Sequence, residues 1–495
     1  MTTTETILNY LAIGFIWLLG IGVLAVAVLF VIDVSQRTDT VRRNFPVIGR
    51  FRHLFSRLGE FFRQYFFAMD REEMPFNRAQ RDWVDRAASG KGDVRPFGST
   101  KNLQPVGTPI FVNAAWPTLD EDAVEAAPLL IGPGARRPYE APSFFNMSSM
   151  SYGSLSKPAV RALSLGTAKA GCWMSTGEGG LAPAHLEGGG DIVFQLGTAK
   201  YGARNDDGSL NEEKLKAIAA HEEVRMIELK LAQGAKPGKG GILPADKVTA
   251  EIAEIRGIPE GRDSISPNRH PEISNDEELL DFIDRLRRVS GLPVGIKTVL
   301  GDDCWLDGFF EAIMRRGKES APDFITIDGG DGGTGAAPMP LMDNVGMVIH
   351  EALPLAVDLR AKHGLTERIR IVVSGKLITP SDIAWALAAG ADFINAARGF
   401  MFAIGCIQAM KCHTNNCPTG VTTHKKRLQR GLVPEEKSER VAHFVDQMRK
   451  EVGVIAHSCG VASPRDLQRH HVRIVCPDGR TRRMDAMHPD PVRQS

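Results

Sequence analysis

The sequence predicts an α/β protein: a closed, parallel (β/α)8 barrel preceded by one membrane-length helix and a shorter amphipathic one. Three observations carry that expectation. Eight short apolar runs alternate with helical or loop segments, as parallel strands joined by crossovers require. Helix start and stop signals fall between those runs. An uncharged apolar stretch near the N terminus is too long for a strand and has the length of a bilayer span. The chain has 495 residues, more than one average domain, but α/β barrels commonly exceed about 250 residues as one unit.

The apolar stretch runs from Ile7 to Ile32. As a helix it measures about 39 Å at ~1.5 Å per residue, against a hydrocarbon core of ~30 Å, so it spans with room to tilt. Glu5 and no Lys or Arg precedes it, which argues against a cleaved signal peptide. Arg37, Arg42, Arg43, Arg50 and Arg52 follow. By the positive-inside rule they put the rest of the chain in the cytoplasm, giving a single-pass protein of the cytoplasmic membrane. Residues 1–36 are thus read as a transmembrane anchor and 37–95 as a juxtamembrane region. Within the latter, Phe51, Phe55, Leu58, Phe62 and Tyr65 recur near helical spacing, interleaved with Arg52, Arg57 and Arg63. An aromatic, basic, amphipathic helix suits a membrane interface, and its stripe equally suits packing on the domain that follows.

The expected strands are 144–148, 172–176, 192–196, 224–230, 293–298, 324–328, 369–374 and 393–397. Ser156 with Pro158 opens a helix that stops at Gly171, and Thr379 with Pro380 opens one that stops at Gly390. Ser274 and Glu277 have capping-box spacing before a helix ending at Gly291. The piece between Lys230 and Pro293 exceeds an ordinary crossover and predicts an excursion or lid over the site. GAKPGKGG (Gly234 to Gly241) is no phosphate loop, because its glycines are too close and no Ser or Thr follows Lys239. No GxGxxG opens a dinucleotide fold. A net charge of +1 gives no reason to propose nucleic acid as a partner.

Working residues in such a barrel lie at the C-terminal strand ends, which selects Ser148, Glu178, Gln195, Lys230 and Lys297. The same rule selects SGK (Ser374, Gly375, Lys376) and ARG (Ala397, Arg398, Gly399), where glycine-turn amides and a guanidinium suit a phosphate monoester. Just beyond, Cys406, Cys412 and Cys417 stand at C-x5-C-x4-C spacing. Clustered thiolates in a reducing compartment are metal or cluster ligands before they are a disulfide. Three thiolates suffice for an iron-sulfur cubane lacking one iron; zinc would need His413 or a distant fourth ligand.

Read with its flanks, CHTNNCPTG resembles the cluster motif of the glutamate synthase family, and other family-like segments follow in register. They are FFNMSSMSYGSLS (Phe144 to Ser156), STGEGG (Ser175 to Gly180), ELKLAQGAKPGKGG (Glu228 to Gly241), DGGDGGTGAAP (Asp328 to Pro338) and SGKLITPSD (Ser374 to Asp382). The resemblance runs from about Phe97 to about Leu432, so 96–432 is expected to be the synthase-like TIM barrel and 433–495 a C-terminal extension. It implies FMN as the cofactor, held by the strand-end residues named above, and a [3Fe-4S] cluster on Cys406, Cys412 and Cys417. It places Lys230 and Lys236 by flavin and substrate, Glu178 by the amino or imino group, and Arg256 on a substrate carboxylate. Glu178, Lys236 and Arg256 are thus the expected catalytic set.

The implied chemistry is reductive amination of a 2-oxo acid, 2-oxoglutarate to glutamate, with ammonia from outside the chain and electrons from a ferredoxin or a separate reductase subunit. Amino-acid oxidation uses the same parts in reverse. One departure bears on substrate: GGILPA (Gly240 to Ala245) carries Ile242 where large family members have a glutamine. Ile242 cannot hydrogen-bond a carboxylate or amide. That leaves an N-methylglutamate synthase-like or other amine-linked oxidoreductase as the alternative, and an electron-relay subunit as a third.

Overall fold

The structure, a computed structural model, describes residues 3–92 and 94–489. It divides into two compact units, Met1–Ala79 and Gln80–Ser495. In the first, α1 (Thr3–Ser35) is long and apolar enough to cross a membrane. After a short helix at Thr40–Asn44 comes α2 (Gly49–Phe62), which widens into a π-helical turn at Arg63–Phe67. The amphipathic segment is therefore helical as its periodicity predicts, with a change of pitch at Arg63.

The second unit is built on a closed eight-stranded barrel. Its strands are β1 (Phe145–Met147), β2 (Met174–Ser175), β3 (Ile192–Leu196), β4 (Val224–Lys230), β5 (Val294–Thr298), β6 (Phe324–Asp328), β7 (Arg370–Ser374) and β8 (Phe393–Ala396). All pairs are parallel, and β8 closes on β1 through Asn395 opposite Asn146. Each strand falls within one of the eight apolar runs. The N-terminal mouth is sealed by a hairpin, Leu129–Ile131 with Tyr139–Ala141, whose Ile131, Tyr139 and Ala141 pack on Trp173, Phe324 and Phe393. With that end filled, the cleft is left to the opposite, C-terminal end.

Cap chemistry fixes the helices. Ser156 accepts from Ala159 N at 3.3 Å to start α3 (Lys157–Ala170), and Gly171, at φ 58°, ends it. Thr379 and Asp382 cap α5 (Pro380–Ala389) reciprocally. Between them in the chain, α4 (Asp276–Ser290) departs from expectation by one residue. Asn275, not Ser274, is its N-cap and accepts from Glu278 N at 2.9 Å, while the Glu278 carboxylate reaches back to Ser274 N at 2.6 Å. Asn and Ser compete nearly equally for that position.

The C-terminal extension packs on the barrel. Its helix α6 (Pro434–Ser458) lies against α3, where a Cβ on Gly166 would come within 2.5 Å of Val441 Cβ. Phe444 from α6 meets Phe400 edge-on at 5.4 Å, and Phe400 stacks on Phe145 of β1 at 5.6 Å. Val472–Val475 then joins Pro109–Phe111 and Thr481–Arg483 in an antiparallel sheet, which ties the extension to the start of the domain. Residues 490–495 of the extension lie outside the described residues.

Candidate functional site

A cleft opens at the C-terminal end of the barrel. Glu178, Lys236, Arg256, Ala397, Arg398 and Cys412, distant in sequence, all line it. Glu178 follows β2 on a turn of glycines. A Cβ on Gly241 would strike its carboxylate at 2.4 Å, so the glycines of both segments let two stretches of backbone close around one side chain.

Glu178 pairs with Lys230, the last residue of β4, at 2.9 Å. Burial alone would raise the Glu178 carboxyl, but the charges of Lys230, Lys236 and Arg256 outweigh it and hold the group below the usual carboxylate range. Glu178 is anionic at neutral pH. Lys236 is shifted the other way: burial, aided by repulsion from Lys230, pushes it down to about 8, against the pull of Glu178. Two groups of opposite charge thus share the cleft, and one of them titrates near neutrality.

Arg256, at the end of the helix Ala250–Arg256, is 4% exposed. Burial lowers its guanidinium from the ordinary value. It donates to Tyr152 O and to Ser264 Oγ, both at 3.1 Å, and stacks 5.0 Å from the ring centroid of Tyr201. Ser264 Oγ in turn donates to the Tyr201 hydroxyl at 2.8 Å. The chain of donors runs from guanidinium to serine to tyrosine. Tyr201 also lines the cleft, so its own O–H can donate to an acceptor there.

Not every expected residue reaches the cleft wall. Gln195 donates to Glu228 and to Ser149 Oγ (2.7 Å), and Thr326 Oγ1 donates to the other Glu228 oxygen at 2.6 Å. Lys297 pairs with Asp328 at 3.3 Å; burial lowers its ammonium, but Asp328 and Glu228 outweigh that and raise it. Lys230, besides Glu178, donates to Gln233 at 2.5 Å, and its carbonyl bonds His270 Nε2 at 2.9 Å. Gln195, Lys230 and Lys297 therefore form a buried polar floor beneath the cleft. Ser148 is buried where its N–H bonds Ala396 O, and its neighbour Ser149 lines the cleft instead.

The phosphate-type strand ends lie side by side because β7 pairs with β8, Ser374 opposite Asn395. Gly375 (φ 138°) and Lys376 (φ 52°) turn the chain sharply after β7, and Ser374 Oγ donates to Asp328 at 2.6 Å. Lys376 lies 3.9 Å from Asp331. After β8, Arg398 donates to Thr334 O and lies 4.0 Å from Cys412 Sγ, and Gly399 is buried with its Cα side against Phe444. These glycine turns with two nearby cations fit a phosphate monoester.

The spacing of the three cysteines bears on what they could hold. Their sulfurs are not all within 4.8 Å of one another; among the described residues, the one triplet of ligand atoms that close is the exposed Asp302, Asp303 and Cys304. A single tetrahedral zinc with bonds of ~2.3 Å would hold three sulfurs within about 4 Å of each other. Three thiolates wider apart than that could each bind a separate iron of a cluster. Burial pushes Cys406 up to about 11. Burial also acts to raise Cys417, but hydrogen bonds from Thr419 and Thr422 prevail and lower it. Lys247, which sequence reading did not single out, donates to Cys412 O at 3.2 Å and Ser154 O at 2.8 Å; burial pushes it down to about 8. Glu228 and Tyr201 were missed as well. The two-residue spacing of Glu228 and Lys230 on one strand was the available signal for the former.

A sealed parallel barrel with a charged cleft at its strand ends defines a barrel enzyme. The chain belongs to the glutamate synthase family, and with it to the oxidoreductases acting on CH–NH2 donors: the family described as "Conserved region in glutamate synthase" matches residues 109–462. It is similar to the glutamate synthase large subunit-like protein YerD of Bacillus subtilis (strain 168), 39% identical over 507 aligned positions, 94% of this chain and 96% of that one. It is also similar to the archaeal glutamate synthase [NADPH] of Methanocaldococcus jannaschii, 35% identical over 331 positions, 66% of this chain and 61% of that one. This chain thus spans about three-fifths of that archaeal relative. Among solved structures, a mandelate oxidase with benzoyl-formic acid is 16% identical at a TM-score of 0.45, over 80% of this chain and 98% of that one.

Proposed function

We propose that the chain catalyses FMN-dependent reductive amination of a 2-oxo acid, 2-oxoglutarate to glutamate, using ammonia supplied from outside the chain. The observation that carries this is the meeting of Glu178, Lys236 and Arg256 in one cleft with Arg398 and Cys412 on its wall. Ser374 to Lys376 and Ala397 to Gly399 would hold the FMN phosphate, and Gln195, Lys230 and Lys297 would contribute to its binding. Cys406, Cys412 and Cys417 hold a [3Fe-4S] cluster. Bound there, FMN would supply the hydride, and a cluster on these cysteines would supply one-electron transfer from a ferredoxin or separate reductase subunit. The α1 helix anchors the enzyme in the cytoplasmic membrane, with the catalytic unit in the cytoplasm.

The chain's own residues divide the remaining work. Arg256 and the Tyr201 hydroxyl bind a substrate carboxylate. Anionic Glu178 accepts hydrogen bonds from ammonia or from the iminium nitrogen and stabilises its positive charge. Lys236, which titrates at about 8, delivers the proton that lets water leave as the imine forms.

A second reading has its own observation. Ile242 lines the cleft and offers no hydrogen bond, which favours a less polar 2-oxo acid or a substituted amine. The test is to reduce the flavin of purified protein anaerobically and ask which pairs of 2-oxo acid and amine reoxidise it. Reoxidation by 2-oxoglutarate with ammonium supports the first reading, and by another pair the second. No reoxidation by any pair rejects both.

A further inference from the structure

The end of α1 carries an arrangement that a simple membrane span does not need. Asp33 follows directly on the apolar run and is fully buried, although most of its helix is exposed. Arg42 donates to Asp33 Oδ1 through Nε at 3.0 Å and Nη2 at 2.6 Å. Arg50 straddles both oxygens, with Nε to Oδ2 at 2.7 Å and Nη2 to Oδ1 at 2.8 Å. Val47 N adds a fifth bond at 3.0 Å. A carboxylate at the edge of the hydrocarbon is costly unless paired, and here one guanidinium bridges both oxygens while a second places two donors on Oδ1.

The same clamp fixes the start of α2. Gly49 sits so close that a Cβ there would meet Val41 O at 2.9 Å and Arg42 Cα at 3.0 Å. A second link lies further along, where His53 Nε2 meets Asp39 Oδ2 at 2.6 Å. Beyond the clamp, Phe51, Phe55, Leu58, Phe62 and Phe66 are all exposed, and rings neighbouring along the helix stand 6.3 Å (Phe51 and Phe55) and 5.6 Å (Phe62 and Phe66) apart, so they share a face. Arg52, Arg57 and Arg63 are exposed beside them. Contiguous exposed aromatics flanked by cations match an anionic lipid surface in both polarity and charge.

We propose that Asp33, Arg42 and Arg50 form a rigid elbow that turns the chain out of the bilayer and lays Gly49 to Phe67 along the surface of the same leaflet. The aromatic stripe then occupies the boundary between headgroups and acyl chains of anionic lipid. This rests on the reading of α1 as a membrane span, and the experiment separates the two. The full chain, carrying a fluorescent amino acid at Phe55 or, as reference, at Trp17 within α1, is reconstituted in vesicles containing brominated lipid. The vesicles are phosphatidylcholine alone or with about one-third phosphatidylglycerol.

The elbow predicts about twofold or greater quenching at position 55 in the anionic vesicles, weaker quenching in phosphatidylcholine alone, and loss of about half the effect in Asp33→Asn and Gly49→Val. The second variant opens the elbow without touching its charges. Quenching at 17 but not at 55 overturns the elbow and leaves the membrane span intact. Absence of quenching at 17 overturns the span and the elbow with it. Equal quenching at 55 in both vesicle types refutes the anionic preference, and wild-type quenching in both variants refutes the clamp.

Discussion

Replacing Glu178 with Gln is the most informative single change in the cleft, because it removes one charge and almost no volume. The partner left behind, Lys230, is buried and keeps only the neutral oxygen of Gln233 at 2.5 Å and whatever the new amide offers. Breaking a buried ion pair costs about 3–5 kcal/mol, and a neutral acceptor in place of the carboxylate recovers about 1–2 kcal/mol, leaving a loss of about 1–4 kcal/mol in stability. The second effect falls on Lys236, whose pKa of about 8 is supported by the Glu178 charge. Without that charge the ammonium loses its proton at lower pH, so the basic limb of the pH profile moves down. The third is the loss of the iminium acceptor, about 10²- to 10⁴-fold in rate if Glu178 acts in the proton and charge chemistry. Stopped-flow reoxidation of anaerobically reduced protein, measured from pH 6 to pH 9 beside a thermal melt, reads all three. A rate within about threefold of wild type with an unmoved basic limb would refute the assignment.

Four further outcomes are expected. Tyr201→Phe keeps the ring under Arg256 but removes the hydroxyl, so 2-oxo acid binding, read from flavin absorbance, should weaken about 10-fold with little change in the melt; unchanged affinity would remove Tyr201 from the binding set. Cys412→Ser should lose iron and donor-driven turnover more than hydride exchange from chemically reduced flavin, and a folded variant with normal iron would exclude Cys412 as a ligand. Deleting residues before Arg37 should release a flavin-retaining protein from carbonate-washed membranes; continued retention there would assign the anchor elsewhere. His185 and His270 are each pushed down to about 4 by burial, so the unfolded chain takes up protons near pH 6.5 that the folded chain refuses until about 4. Stability should fall as pH drops through that window, by up to about 3 kcal/mol per histidine, and a melting midpoint unchanged between pH 7 and 4.5 would contradict their buried, neutral state.

The barrel was legible because each strand is buried on both faces. Such strands read as short continuous apolar runs, and glycine punctuates the crossovers. Helix ends followed from cap residues, with the one-residue slip at Ser274 and Asn275 arising where two good caps are adjacent. The cleft was legible as a set of motifs but not as layers. Nothing in the local sequence says that Gln195 and Lys297 turn their polar ends to Glu228 and Asp328, or that Lys247 reaches across to the carbonyl of Cys412. Those contacts join residues far apart in the chain, and they depend on the barrel having closed. Tyr201 was hidden for the same reason, since it gains meaning only when Arg256 and Ser264 fold over it. The elbow was half visible: the arginines after α1 were read as topology signals, while Asp33, the shared acceptor of Arg42 and Arg50, becomes evident only in three dimensions.

The proposed reaction joins ammonia nitrogen to a 2-oxo acid in the cleft at the expense of flavin electrons. A single-turnover experiment tests it directly, with photoreduced protein mixed anaerobically with 2-oxoglutarate and ¹⁵N-ammonium and the products resolved by mass spectrometry. The account predicts ¹⁵N-glutamate in amounts matching the two-electron equivalents lost from the flavin, abolished in Glu178→Gln. Flavin reoxidation without labelled amino acid, or labelled product undiminished in that variant, would contradict it.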